Sequence, residues 1–279
     1  MLLEAADRVN AMSPAPRFVC VCGDLVNAWP RLQKQTGGDA NPKAQAQVDD
    51  LKDAFQAFRE DIPLVCLCGN HDVGNRPTPA TVAQYRTNWG DDYYSFTVGG
   101  CLCVVINSSL YHSPVDAQED ASAQDAWLLE TLSTAGSQAT PPVHTLIFGH
   151  IPPFISAPDE PEGYFNWDLM TRRRVLDLMH ASGANVHAWF SGHYHRNAGG
   201  WDEGCEVVTT AAIGTNLSMN SKGDPLGLSG CGEASCDRTN SGLRLVHVGH
   251  STISHRYFTL SEDMPTEISA RALGSSASL

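Results

Sequence analysis

The sequence predicts an α/β fold, and three observations carry that expectation. Short, almost wholly apolar runs recur at 17–22, 64–68, 144–148 and 186–190, the pattern of strands covered on both faces. Segments with apolar residues at helical spacing lie between them. The length, 279 residues, suits one large α/β domain or two small ones with a sizeable core.

Taken in order, residues 2–12 predict a short helix with Leu2, Leu3, Ala6, Val9 and Met12 near one face, ended by Pro14 and Pro16. Arg17–Cys22 is the first apolar run and closes on Gly23-Asp24. The stretch from Pro30 to Pro42 reads as loop. Val48, Leu51, Phe55 and Phe58 then mark a helix over 43–59. The second apolar run, LVCLC, ends on Gly69-Asn70-His71-Asp72. A helix over 78–89 precedes two strands, 94–98 and 101–106, joined by the hairpin turn Gly99-Gly100.

Helix 122–132, with Gly136 as terminator, leads to strand 144–148, which stops at Gly149-His150. Helix 171–180, closed by Gly183, leads to strand 186–190, which runs into Gly192-His193-Tyr194-His195. Strands are expected over 205–213, 243–248 and 253–260. The polar, Ala- and Ser-rich segment 261–279 is expected to be a disordered tail after a domain spanning 1–260.

Charge and composition exclude several functions. The formal net charge of −13 argues against nucleic acid, whose backbone is bound by clustered Lys and Arg. No apolar run approaches the length of a membrane span. Glu4 and Asp7 sit where a secretory signal would be basic. Six of the nine cysteines form CxC pairs within apolar runs, Cys20/Cys22, Cys66/Cys68 and Cys101/Cys103. At i and i+2 of a strand they read as small buried hydrophobes, with a metal clip the sharper alternative. Cys231 and Cys236 lie in a Gly- and Ser-rich loop with only a weak signal for a disulfide or clip. The balance points to a reducing, cytoplasmic setting.

Four strand ends share one event: the strand stops at Gly and a metal-capable residue follows. They are Gly23-Asp24, Gly69-Asn70-His71, Gly149-His150 and Gly192-His193-x-His195. Carboxyl ends of strands are where α/β sheets gather ligands, and Gly lets the chain turn sharply there. Each signal alone is weak, since Asp after a strand is usually a turn former and GHxH often decorates a strand end. Their order and repeated placement carry the reading. Asp, Asn and His form a mixed O/N set suited to Mn, Fe or Zn. His112, His144, His180, His187, His247, His250 and His255 lack this context and read as core-edge or surface residues.

The series GD, GNHD, GH, GHxH resembles that of the calcineurin-like metallophosphoesterase superfamily, from about Phe18 to Leu260. CGDLVNAWP, DIPLVCLCGNHDVGN, NWGDDYYSF and FSGHYHRNAGG are similar to a cytoplasmic protein serine/threonine phosphatase branch of it. The resemblance implies an αββα sandwich of two mixed sheets flanked by helices. It also implies two divalent metal ions and hydrolysis of phosphate monoesters, on phosphoserine or phosphothreonine in proteins, by a hydroxide that the ions activate.

By the same resemblance Asp24 bridges the ions. Asn70, His150 and His193 complete the second site, and His195 belongs to the first. His71 stands by the leaving-group oxygen, with Asp72 orienting it. The superfamily also carries D-x-H, or D-x-Q in that branch, on an earlier strand, and nothing before Gly23 matches it. The first strand is therefore expected to be absent, leaving a first metal with only Asp24 and His195 and a less stable sheet. A phosphodiesterase on nucleotides or lipids and a non-catalytic relative are the alternative functions.

Overall fold

A computed structural model describes residues 1–31, 39–218, 233–267, 269 and 273. Cys231 lies outside them. The chain starts with α1 (Leu2–Asn10), β1 (Val19–Val21), α2 (Pro42–Phe55), β2 (Leu64–Cys66), α3 (Asn70–Val73) and α4 (Pro79–Trp89). Next come β3 (Tyr94–Val98), β4 (Cys101–Val105), α5 (Ser108–His112), α6 (Gln118–Gly136), β5 (Thr145–Phe148), α7 (Leu169–Ala181) and β6 (Val186–Ser191). The remaining elements among the described residues are β7 (Ala198–Asp202), β8 (Cys205–Thr209), β9 (Asn216–Leu217), β10 (Ala234–Ser235), β11 (Gly242–Val248) and β12 (Ile253–Thr259).

Six strands form a mixed sheet in the order β3-β4-β5-β6-β8-β7. Its centre, β4-β5-β6-β8, is parallel, and antiparallel strands close both edges. Period-2 alternation sorts its side chains between two cores. Val104, Ile147, Trp189 and Val207 face α6 and α7, where they meet Leu128, Leu132, Val175 and Leu176. Cys103, Leu146, Phe148, Phe190 and Val208 face the other way, toward Cys20, Cys22, Val65, Val246 and Ile253. Both faces are thus covered, which is why these strands read as unbroken apolar runs.

The second layer consists of two separate pairs, β1-β2 parallel and β11-β12 antiparallel, rather than one continuous mixed sheet. α1, the end of α2 and the turn after it cover it from outside through Ala6, Val9, Phe55 and Phe58 against Val19 and Leu64. The order of layers is helix, sheet, sheet, helix, as the αββα expectation requires.

Local signals explain most boundaries. Asn41 caps α2 by accepting from Lys43 N, and Thr78 caps α4 by accepting from Thr81 N, each with Pro in the first helical position. Asp168 caps α7, and Gly183, at φ +68°, turns the chain out of it. Gly99 and Gly100 at φ +59° and +80° make the expected hairpin turn. The CxC cysteines are free thiols, half-buried or buried, as the hydrophobe reading expects.

Several elements differ from the sequence reading. α6 starts four residues earlier and ends four later than expected, because Gln118–Asp120 lack apolar spacing yet continue the helix. α3, α5, β7, β9 and β10 are too short or too glycine-rich for periodicity to reveal. The segment after β12 does not run free at once. Ser13 N donates to Thr266 O, and Met264 and the buried Leu273 pack with Met12, Leu245 and Phe258.

Candidate metal centre

β1, β2, β5 and β6 deliver the predicted residues to one edge of the two sheets. Asp24, His193 and His195 all adopt positive φ, +51°, +64° and +56°, a region that non-glycine residues seldom occupy and that tends to mark functional sites. The turns admit no extra bulk. A Cβ on Gly23 would lie 2.6 Å from His150 Nδ1 and 2.9 Å from Gly69 Cα, and one on Gly69 would fall on the Asp24 carboxylate.

Asp24, His150 and His193 place one donor atom each within 4.8 Å of one another, and His150 and His193 are buried. Asn70 Oδ1 joins them, 3.1 Å from His150 Nε2, which is itself 3.2 Å from Asp24 Oδ2. Each ring has one nitrogen occupied elsewhere. His150 Nδ1 donates to Cys22 O at 2.7 Å, and His193 Nε2 donates to Tyr164 O at 2.9 Å. That turns His150 Nε2 and His193 Nδ1 inward as the atoms available to a cation, the arrangement metal-binding histidines adopt. Two oxygen and two nitrogen donors fit a divalent ion of the Mn, Fe or Zn kind.

The charge balance agrees. Burial opposes ionisation of Asp24, but the charge and hydrogen bond of His150 outweigh it and hold the carboxyl well below its usual range. Burial, reinforced by His150, pushes His193 well below the ordinary imidazole value, so the ring is neutral, as a ligand must be. His195 stands outside the close group. Its Nδ1 donates to Thr215 O, leaving Nε2 as its lone-pair atom.

His71 and Asp72 need a correction. Asp72 does not hold the His71 ring. Its carboxylate accepts from Gly69 N at 2.7 Å, Leu25 N at 3.2 Å and Val26 N at 3.3 Å, so it stitches the turns after β1 and β2 together. Burial and the Asp24 charge push its carboxyl up to about 7 against those amide donors. The His71 ring is oriented instead by Asn27 O, 2.7 Å from Nδ1, and by Trp29, stacked at 4.4 Å and 22°. The backbone N–H of His71 donates to Asp24 Oδ1 at 2.9 Å.

Sequence reasoning missed Trp29 and Tyr164. Trp29 lies within the motif around Asp24, so proximity in sequence was a usable signal. Tyr164 sits in a polar loop with none. Its hydroxyl lies 3.2 Å from Asn70 Nδ2.

With this geometry in view, the family model for calcineurin-like phosphoesterase matches residues 2–197. The chain belongs to the calcineurin-like phosphoesterase family. It is therefore a hydrolase of the metallophosphoesterase class, a class that works with divalent metal ions. The chain is 40% identical over 259 residues to a Danio rerio serine/threonine-protein phosphatase CPPED1, covering 93% of this chain and 74% of that protein. The Homo sapiens protein of the same name is 39% identical over 260 residues, with 93% and 73% covered. The fold is similar to that of a dimetal phosphatase from Danio rerio, at a TM-score of 0.54 and 14% identity, with 94% and 87% covered.

Proposed function

We propose that this calcineurin-like phosphoesterase removes phosphate from phosphoserine and phosphothreonine in proteins. The observation that carries the reading is the convergence of Asp24, Asn70, His150 and His193 on one point. The name of the CPPED1 relatives supports a phosphoprotein substrate. Asp24, Asn70, His150 and His193 would hold one divalent ion, and Asp24 with His195 would contribute to a second.

Bound ions supply Lewis-acid polarisation of phosphoryl oxygens and a lowered water pKa. The chain's own groups do the rest. Asp24, held ionised beside His150, keeps the centre anionic enough to attract cations into a histidine-rich site. His71, its Nδ1–H anchored on Asn27 O, is placed to give the proton on Nε2 to the departing serine or threonine oxygen. Trp29 limits the ring's freedom while that transfer occurs.

No helix among the described residues is long and apolar enough to cross a membrane. The described cysteines are all free, which supports a reducing, cytoplasmic location.

The test is phosphate release from phosphoserine and phosphothreonine peptides by the purified chain with Mn²⁺, set beside bis-aryl phosphodiester. Metal-dependent release from the peptides, lost in His71→Ala, is expected. Turnover of the diester alone, or phosphopeptide turnover unaffected by chelation, would overturn the proposal.

A further inference from the structure

Tyr164 touches two of the residues that converge at the metal centre. Its main-chain carbonyl accepts from His193 Nε2 at 2.9 Å. Its hydroxyl lies 3.2 Å from Asn70 Nδ2, and its ring lies 5.0 Å from the His193 ring. The Asn70 amide nitrogen also donates to Asn75 Oδ1 at 2.8 Å.

Each contact removes one ambiguity. An imidazole can carry its proton on either nitrogen, and a donor bond from Nε2 commits the lone pair to Nδ1. A side-chain amide can present either oxygen or nitrogen to a cation. With its NH₂ engaged by Tyr164 and Asn75, Asn70 turns Oδ1 toward His150 Nε2, which is 3.1 Å away.

The loop that carries Tyr164 is held firmly enough to enforce this. Glu160 gathers Ile155 N, Ser156 N and Ala157 N, and also Asn166 Nδ2. Beneath it the buried Arg172 donates to Pro158 O, Glu160 O and Trp167 O. Tyr164 is thus presented to the centre from a braced strap rather than from a free loop.

We propose that Tyr164 is a positioning residue for the ion held by Asp24, Asn70, His150 and His193. Its carbonyl sets the His193 tautomer, and its hydroxyl sets which end of the Asn70 amide faces the cation. The inference rests on the metal-centre reading above. Partners of this kind, one bond behind the ligands, orient them and raise metal affinity by roughly ten- to a hundredfold.

The experiment is calorimetric titration of the metal-free chain with Mn²⁺, for the wild type, Tyr164→Phe and Asn75→Ala. The Phe ring can keep the contacts with Phe165 and His193 and removes only the hydroxyl. Each variant is expected to raise the Mn²⁺ Kd about tenfold. The thermal midpoint of the metal-free protein should stay put, and so should KM for a phosphopeptide at saturating Mn²⁺.

An unchanged Kd in both variants would overturn the proposal, as would a raised KM with Kd unchanged, which would put the hydroxyl on substrate. A metal-free midpoint lowered in step with the weaker binding would also overturn it. Failure of the wild type to bind Mn²⁺ would instead defeat the underlying metal reading, a distinguishable result.

Discussion

Trp29 stacks on His71 with ring centroids 4.4 Å apart and an interplanar angle of 22°, so an aromatic face and a backbone carbonyl, not a carboxylate, set the orientation of the candidate proton donor. The arrangement suits a group that must donate a proton along one direction.

Trp29→Ala therefore leaves His71 with one anchor, Asn27 O. Turnover of phosphopeptides should fall on the order of tenfold, a modest share of what a positioned general acid contributes. Mn²⁺ affinity should hold, because the ring that Trp29 stacks on, His71, is not one of the residues that converge on the ion site. Trp29→Phe should keep most of the rate. Steady-state kinetics beside metal titration separates the two effects.

Asp72→Ala should behave differently, because Asp72 joins two turns. Removing its carboxylate strands the N–H groups of Gly69, Leu25 and Val26 and should cost at least about 1–3 kcal/mol. Chemical denaturation measures that cost. Metal affinity should fall with stability, since Asp24 and Asn70 ride on the same turns.

Gly69→Ala tests the packing of those turns more severely. Its Cβ would occupy the space of the Asp24 carboxylate and amide, and overpacking of this kind costs about 1–3 kcal/mol or more. Loss of Mn²⁺ binding by calorimetry, with a lowered unfolding midpoint, is the expected outcome.

Acidification should loosen the strap over the centre. Burial would raise the Glu160 carboxyl, but the N–H groups of Ile155, Ser156 and Ala157 and the Asn166 amide outweigh it and bring it below its ordinary value. A group depressed in the folded state contributes stability above its unfolded value, about 4.3, and loses it as the pH falls through the folded one. Stability should thus decline as the pH drops below about 4.3, and Glu160→Gln should flatten that part of the profile. Denaturation midpoints across the acid range check it.

The layered fold was legible because period-2 and helical patterns report which faces are covered. Strand runs such as 144–148 and 186–190 lie in the sheet much as their composition implies. Helix ends were less legible: α6 begins in Gln118–Asp120, which lack apolar spacing. The division of the second layer into β1-β2 and β11-β12 depends on pairing between distant segments, for which no local pattern speaks.

By itself the sequence determined that Asp24, Asn70, His150 and His193 would end strands at glycine turns, since residue order within a strand and turn is a local property. The tertiary structure alone decided what holds them. Asp72 binds amides 46 and 47 residues away instead of its neighbour His71, and Tyr164 reaches Asn70 across 94 residues. Such partners are set by how loops pack over a finished sheet edge, where burial demands that every polar group find a mate, and no periodicity in the chain records that choice.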